Sequence, residues 1–217
     1  MQVIILNAPP ASGKDTIARM LQNLHNFGNT SFKKPMFEVA RALTGLTSGE
    51  FFEIYEDRNL KECQLPQFGN MSPRNIMILI SEDIMKPMFG NDVMGQRALK
   101  YIEDCEGITS GVVFSDGGFM EEVKAIHDAG HEVTVVRLHR DGYTFNGDSR
   151  NYLYPDFCKS LDVTLIEGKP EDAVQDTYLK WQEADKDRIP NPTSWLTTVC
   201  TRRCIDLLQA AHKTRVT

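Results

Sequence analysis

Four short apolar runs constrain this chain more than any other feature: QVIILN at 2–7, GVVFSD at 111–116, EVTVVRL at 132–138 and DVTLIEG at 162–168. Each is nearly continuous in apolar residues rather than alternating, which is the pattern of a strand buried on both faces. Segments with apolar residues at helical spacing lie between them. A helix is predicted from Gly13 to about Asn26, with Ile17, Met20, Leu21 and Leu24 on one face and Gly28 and Asn29 as its stop. Others are predicted at 35–44, at 91–104, at 119–129 before Gly130, and at 170–184. The one at 72–86 opens on Ser72 and Pro73, a cap followed by a first-turn proline. Thr30–Phe32 reads as a further short strand, and 140–156 as a polar connection. Strands alternating with helices give an α/β fold, with a parallel sheet covered on both faces. The helical stretch at about 35–104 reads as an insertion over one sheet edge. After the proline-broken linker RIPNP, a terminal helix is expected at about 194–212. Its apolar side, with Trp195, Leu196 and Leu207, is expected to dock on the chain's own body. The organisation expected is thus a body at 1–185 and a linker with a helix at 186–217.

Composition narrows the function classes. The chain has 217 residues, 41% of them apolar and 25% charged, which suits one folded domain rather than a disordered segment. No run approaches the roughly 18 apolar residues of a membrane span, and the first residues carry no basic region of a signal peptide. Five cysteines without paired spacing fit reduced thiols in a cytoplasm. The histidines show no metal-ligand spacing. The net charge is −6, yet residues 186–217 hold six basic and two acidic residues. An acidic body disfavours contact with a polyanion, whereas a basic tail permits one. A monomer and a homodimer both remain open.

The densest chemical signal is the stretch Ala8–Thr16, between the first strand and the first helix. In a parallel α/β sheet an anion site belongs there, because loop amides and a helix N-terminus converge on it. Pro10, Ala11, Ser12, Gly13, Lys14, Asp15 and Thr16 form a Walker-type loop with departures. Ala8 stands for the opening glycine, Asp15 for the magnesium-binding Ser or Thr, and Ala11 puts a Cβ where φ above zero is expected. Lys14 is the cation for the β- and γ-phosphates of ATP. Asp116, at the C-terminal end of a strand, and Asp15 are the expected carboxylates for Mg2+. Asp15 is also a candidate proton acceptor.

With Ser12-Gly13-Lys14-Asp15-Thr16, MSPRNIMILISEDIMKPMFGNDV at 71–93, VVFSDGGFMEEVKAIHDAG at 112–130 and HRDGYTFNGDSR at 139–150, the chain resembles the phage deoxynucleoside monophosphate kinases. The resemblance implies a three-layer P-loop kinase in the cytoplasm of an infected bacterium, with ATP and magnesium as donor. It makes 140–156 a lid carrying Arg140 and Arg150, and it points Lys34, Arg41, Arg58, Arg74 and Glu82 toward an acceptor. Gly117 and Gly118 follow Asp116 where the family continues toward an arginine. That departure, with the basic tail, also looks like a phage subgroup that phosphorylates 5-hydroxymethyluracil within DNA. Three functions are therefore expected in order: a deoxynucleoside monophosphate kinase, a DNA-level kinase, and an inactive nucleotide-binding regulator.

Overall fold

A computed structural model describes residues 1–57, 59–148 and 150–165. Five strands form one parallel sheet in the order β2-β3-β1-β4-β5. These are β1 (Gln2–Asn7), β2 (Phe27–Thr30), β3 (Gly111–Phe114), β4 (Glu132–Arg140) and β5 (Lys159–Leu165). β1 lies at the centre, with Val3 opposite both Val112 and Val133. Alternation along each strand divides the apolar residues between two layers. Val3, Ile5, Val112, Phe114, Val133 and Val135 face one core, and Ile4, Leu6, Val113 and Leu138 the other.

The second of those cores is closed by α1 (Lys14–His25) through Ile17 and Ala18. The first is covered by α2 (Lys34–Thr44), α3 (Ser48–Glu56), α4 (Pro73–Ile78), α6 (Val93–Cys105) and α7 (Met120–Asp128), while the short α5 (Lys86–Phe89) buries none of its residues. Phe51, Phe68, Ile80, Met94 and Ile102 are fully enclosed there. The expected α/β architecture, a parallel sheet between helical layers with a helical insertion, is therefore what forms.

Several boundaries move for identifiable reasons. The strand expected at Thr30–Phe32 instead starts at Phe27, because Asn26 takes φ 55 and closes α1 early. Gly28, expected to stop that helix, is a strand residue. A Cβ there would lie 2.8 Å from the Cys105 Sγ, so the glycine lets the end of α6 pack on β2. The single helix expected at 72–86 is α4, a π-helical stretch over Leu79–Met85, and α5 in succession. β5 starts at Lys159, three residues earlier than expected, and carries the Asp162 carboxylate inside it. The helices expected at 170–184 and 194–212, and the linker between them, lie outside the described residues.

Candidate phosphate-binding site

The loop after β1 has the backbone of an anion cradle. Ala11 takes φ 60 and Gly13 φ 98, and α1 then begins at Lys14 with no side chain capping its first amides. Uncapped amides at a helix start are free donors for an anion. Ala11 thus adopts the left-handed backbone that its Cβ disfavours, at a cost of about 1–2 kcal/mol. The Pro9 carbonyl gathers the loop: it accepts from the Ser12 hydroxyl at 2.7 Å, the Ser12 amide at 3.4 Å and the Lys14 ammonium at 3.2 Å. Lys14 is only 8% exposed. Burial pushes its ammonium below the usual lysine range, and Asp15 opposes that shift. Asp15 is exposed in the first turn, and Thr16 is half-buried.

The turn after β3 sits beside this loop. Asp116 is buried, and its carboxylate accepts from the amides of Phe32 at 3.0 Å and Lys33 at 3.1 Å. It therefore fastens the start of α2 to the sheet edge. Gly117 and Gly118, with φ 79 and φ 63, carry the chain away from it. A Cβ at Gly118 would meet the Phe32 ring at 2.6 Å, so these glycines meet a steric demand of the turn.

The described residues of the 141–156 segment run along the same edge and form no helix or strand. Arg150 donates to the Asp116 carbonyl at 2.7 Å and makes a two-pronged pair with Asp148 at 2.9 and 2.8 Å. Although burial raises the Asp148 carboxyl, the hydrogen bonds and charge of Arg150 outweigh it and hold the group down at about 2. Arg140 donates to the Ala11 carbonyl at 3.4 Å, and its guanidinium lies 4.5 Å from the centre of the Tyr143 ring. The structure thus brings Lys14, Asp15, Asp116, Arg140 and Arg150 to one sheet edge.

The expected acceptor-side residues do not converge. Arg74 and Glu82 line a cavity of about 270 Å3 next to Asp116 and Arg150, but both are tied elsewhere. Arg74 pairs with Glu62 at 2.7 Å, and Glu82 with Lys86 at 2.6 Å. Lys34 is exposed over the Tyr101 ring, and Arg41 sits near the end of α2, outside the cavity lining. Arg58 lies outside the described residues.

Four residues at this edge escaped the sequence reading. Asn7 ties the 151–153 stretch to β1, donating to the Asn151 carbonyl and accepting from the Leu153 amide. Lys33 faces the cavity with its ammonium weakened, chiefly by burial and then by Arg150. Asp148 holds Arg150, as above. Glu122 lines the cavity at 3% exposure. Its spacing from Phe119 was the available signal, since a Glu three residues into a helix reaches back to the amide before it. Among the described residues, no group of three or more His, Cys, Asp or Glu side chains is placed to hold a metal ion. No helix among them is long and apolar enough to cross a membrane.

Comparison with known families gives one finding. The family model of Sigma-70 region 2 matches residues 166–214, less than a quarter of the chain and outside the described residues. No curated protein matches. The match overturns the resemblance to phage deoxynucleoside monophosphate kinases, because no kinase family is found while this one is. The functions expected with that resemblance fall with it: the deoxynucleoside monophosphate acceptor, the 5-hydroxymethyluracil acceptor in DNA and the inactive regulator.

Proposed function

We propose that the loop at 8–16 binds the phosphate chain of ATP together with Mg2+, and that the chain is an enzyme acting on the terminal phosphoryl group. The observation that carries this reading is the uncapped start of α1 behind two left-handed residues, Ala11 and Gly13, with Lys14 folded over the loop. Amides of that helix start would donate to phosphate oxygens, and the Lys14 ammonium would exchange the Pro9 carbonyl for a phosphate oxygen. Arg140 and Arg150 supply further positive charge at the mouth. Asp15 and Asp116 are the carboxylates that would hold the magnesium. Two carboxylates suit that ion, which keeps several waters and takes its remaining oxygens from phosphate. Bound there, magnesium supplies charge neutralisation for the phosphates.

Calorimetric titration of the full chain with ATP, with and without magnesium, tests the reading. Lys14→Ala is expected to weaken ATP binding at least about tenfold, the loss of one charge-assisted contact. It should also abolish release of inorganic phosphate or transfer to any acceptor. Equal ATP affinity in the wild type and Lys14→Ala would sink the proposal. The family match favours a second reading for residues 166–214, as a segment with a transcription-related role. An in vitro transcription assay with the full chain and with a chain ending at residue 165 tests it, and identical output from both would dismiss it.

A further inference from the structure

The cavity between the turn after β3 and the helical cover holds a group that phosphate binding does not use. Glu122 sits in the first turn of α7, and its Oε2 accepts from the Phe119 amide at 2.7 Å. That amide is the hydrogen-bond partner the structure gives its carboxyl. The cavity walls beside it are apolar: Phe32, Met36, Met77, Met94 and Phe119. Apart from Lys33, the other charges on the walls are matched by the chain itself. Arg150 is held by Asp148, Arg74 by Glu62 and Glu82 by Lys86, and Asp116 is held by two amides.

We propose that this cavity is a second binding site, for an uncharged ligand that lays a flat apolar body against Met36, Met77, Met94 and Phe119 and sets a carbonyl oxygen against the carboxylic acid of Glu122. A protonated carboxyl is the donor such a carbonyl needs, and a carboxylate would repel it. Burial is the main reason why Glu122 keeps its proton, with the Asp116 charge adding to it, and together they push the group up to about 8. The Phe119 amide and Lys86 of α5 pull the other way without cancelling this. α5 offers only Lys86, which is already paired with Glu82. α6 presents Met94 and Gly95, and α7 itself adds the like charge of Glu121. Lys33 is the remaining cation on the walls, and its own charge is disfavoured by burial. A cavity of about 270 Å3 suits a ligand of one aromatic ring and a short polar group.

Benzamide is a suitable probe, read by shifts of the Phe119 and Gly118 amides in nuclear magnetic resonance spectra of the full chain without nucleotide. Benzamide should bind at least about tenfold more tightly than benzoate or benzylamine at about pH 7. Its affinity should fall about tenfold or more by about pH 9.5, as Glu122 loses its proton. Glu122→Gln keeps an N–H donor of the same shape, so it should retain binding and lose the pH dependence. Glu122→Leu should abolish binding while its melting curve shows a folded chain. The proposal is overturned if benzamide does not bind, if benzoate binds as tightly, if wild-type affinity is flat with pH, or if Glu122→Leu binds unchanged. No nucleotide enters the assay, so its failure and a failure of ATP binding are separate results.

Discussion

Arg137 in β4 and Glu122 in α7 are both buried ionisable side chains, and the chain treats them in opposite ways. The Arg137 guanidinium, 6% exposed, makes a two-pronged pair with Asp162 on the neighbouring strand at 2.8 and 2.6 Å. It also donates to the Leu153 carbonyl and lies 4.3 Å from the centre of the Tyr154 ring. Glu122 has one amide. Buried charge persists where a partner is built for it, and otherwise the group gives up its charge. Parallel pairing of β4 with β5 places Arg137 opposite Asp162 in register, so the partner comes with the sheet. Among the described residues the cation that acts on Glu122, Lys86, is already paired with Glu82, which leaves the acid form of Glu122 available to something outside the chain.

The sharpest way to break this contrast is to remove the ionisable group from the side without a partner. In the folded chain Glu122 titrates near 8, and in the unfolded chain near its ordinary value of about 4.3. Between these values the folded state holds a proton that the unfolded state has released. Stability therefore falls as pH rises through that window and levels off above it. Glu122→Gln cannot ionise, so its stability advantage should grow from about pH 5 to about pH 8, reaching roughly 3–5 kcal/mol. Urea unfolding at a series of pH values measures it. A variant whose advantage does not change with pH would show that Glu122 is an ordinary carboxylate.

The paired side should respond in the opposite direction. Arg137, and to a lesser degree His139 at 2.6 Å, hold the Asp162 carboxyl well below the usual carboxylate range against a smaller effect of burial. A depressed group contributes stability above its unfolded value, and that stability disappears as pH falls through its folded one. The pair is thus intact throughout the window in which Glu122 weakens the fold. Asp162→Asn should cost about 2 kcal/mol near neutral pH, less than the 3–5 kcal/mol of a fully buried pair because Asp162 is 52% exposed. The deficit should vanish in strong acid. A cost that persists there would mean that the carboxylate charge is not what stabilises Arg137.

Gly95 tests why Glu122 is buried at all. A Cβ on this α6 residue would lie 2.5 Å from the Glu122 carbonyl oxygen and 2.9 Å from the Ala125 Cβ. The glycine is therefore what allows α6 and α7 to pack so closely. Gly95→Ala should separate the helices, cost about 1–3 kcal/mol through overpacking, and admit water to Glu122. The pH dependence of stability should shrink with it. An alanine variant as stable as the wild type, with the same pH dependence, would show that this contact does not set the burial.

These contacts also mark where sequence reasoning stops. β1, β3, β4 and β5 were legible because a strand covered on both faces needs an apolar run, and Val112-Val113-Phe114 or Val133–Val136 has few other uses. The loop at 8–16 was legible because Gly13, Lys14 and Thr16 follow such a run directly. The acceptor side was not, since whether Arg74 faces a ligand or Glu62 depends on how the turn near Leu60–Glu62 folds back on α4, which local pattern does not encode. Glu121 and Glu122 read alike as first-turn acids, and only the approach of Gly95, 27 positions upstream, separates them. Lys33 was silent for the same reason: the Asp116 carboxylate that its amide meets comes from a distant segment.

The smallest effect belongs to the ion pair that replaced an expected substrate contact. Arg74 and Glu62 meet at 2.7 Å, but their side chains are 49% and 52% exposed. Water screens such a pair, and ordering two long side chains offsets much of its attraction. Arg74→Ala should therefore change stability by no more than about 0.5 kcal/mol, and that difference should disappear in high salt. Because Arg74 borders the cavity while its charge is engaged by Glu62, the same variant should leave benzamide binding within about twofold of the wild type. Denaturation in low and high salt, with the amide-shift titration alongside, measures both. A large loss of benzamide affinity in Arg74→Ala would show that this arginine leaves Glu62 when the cavity is filled. Arg74 would then join Glu122 as a group whose partner comes from outside the chain.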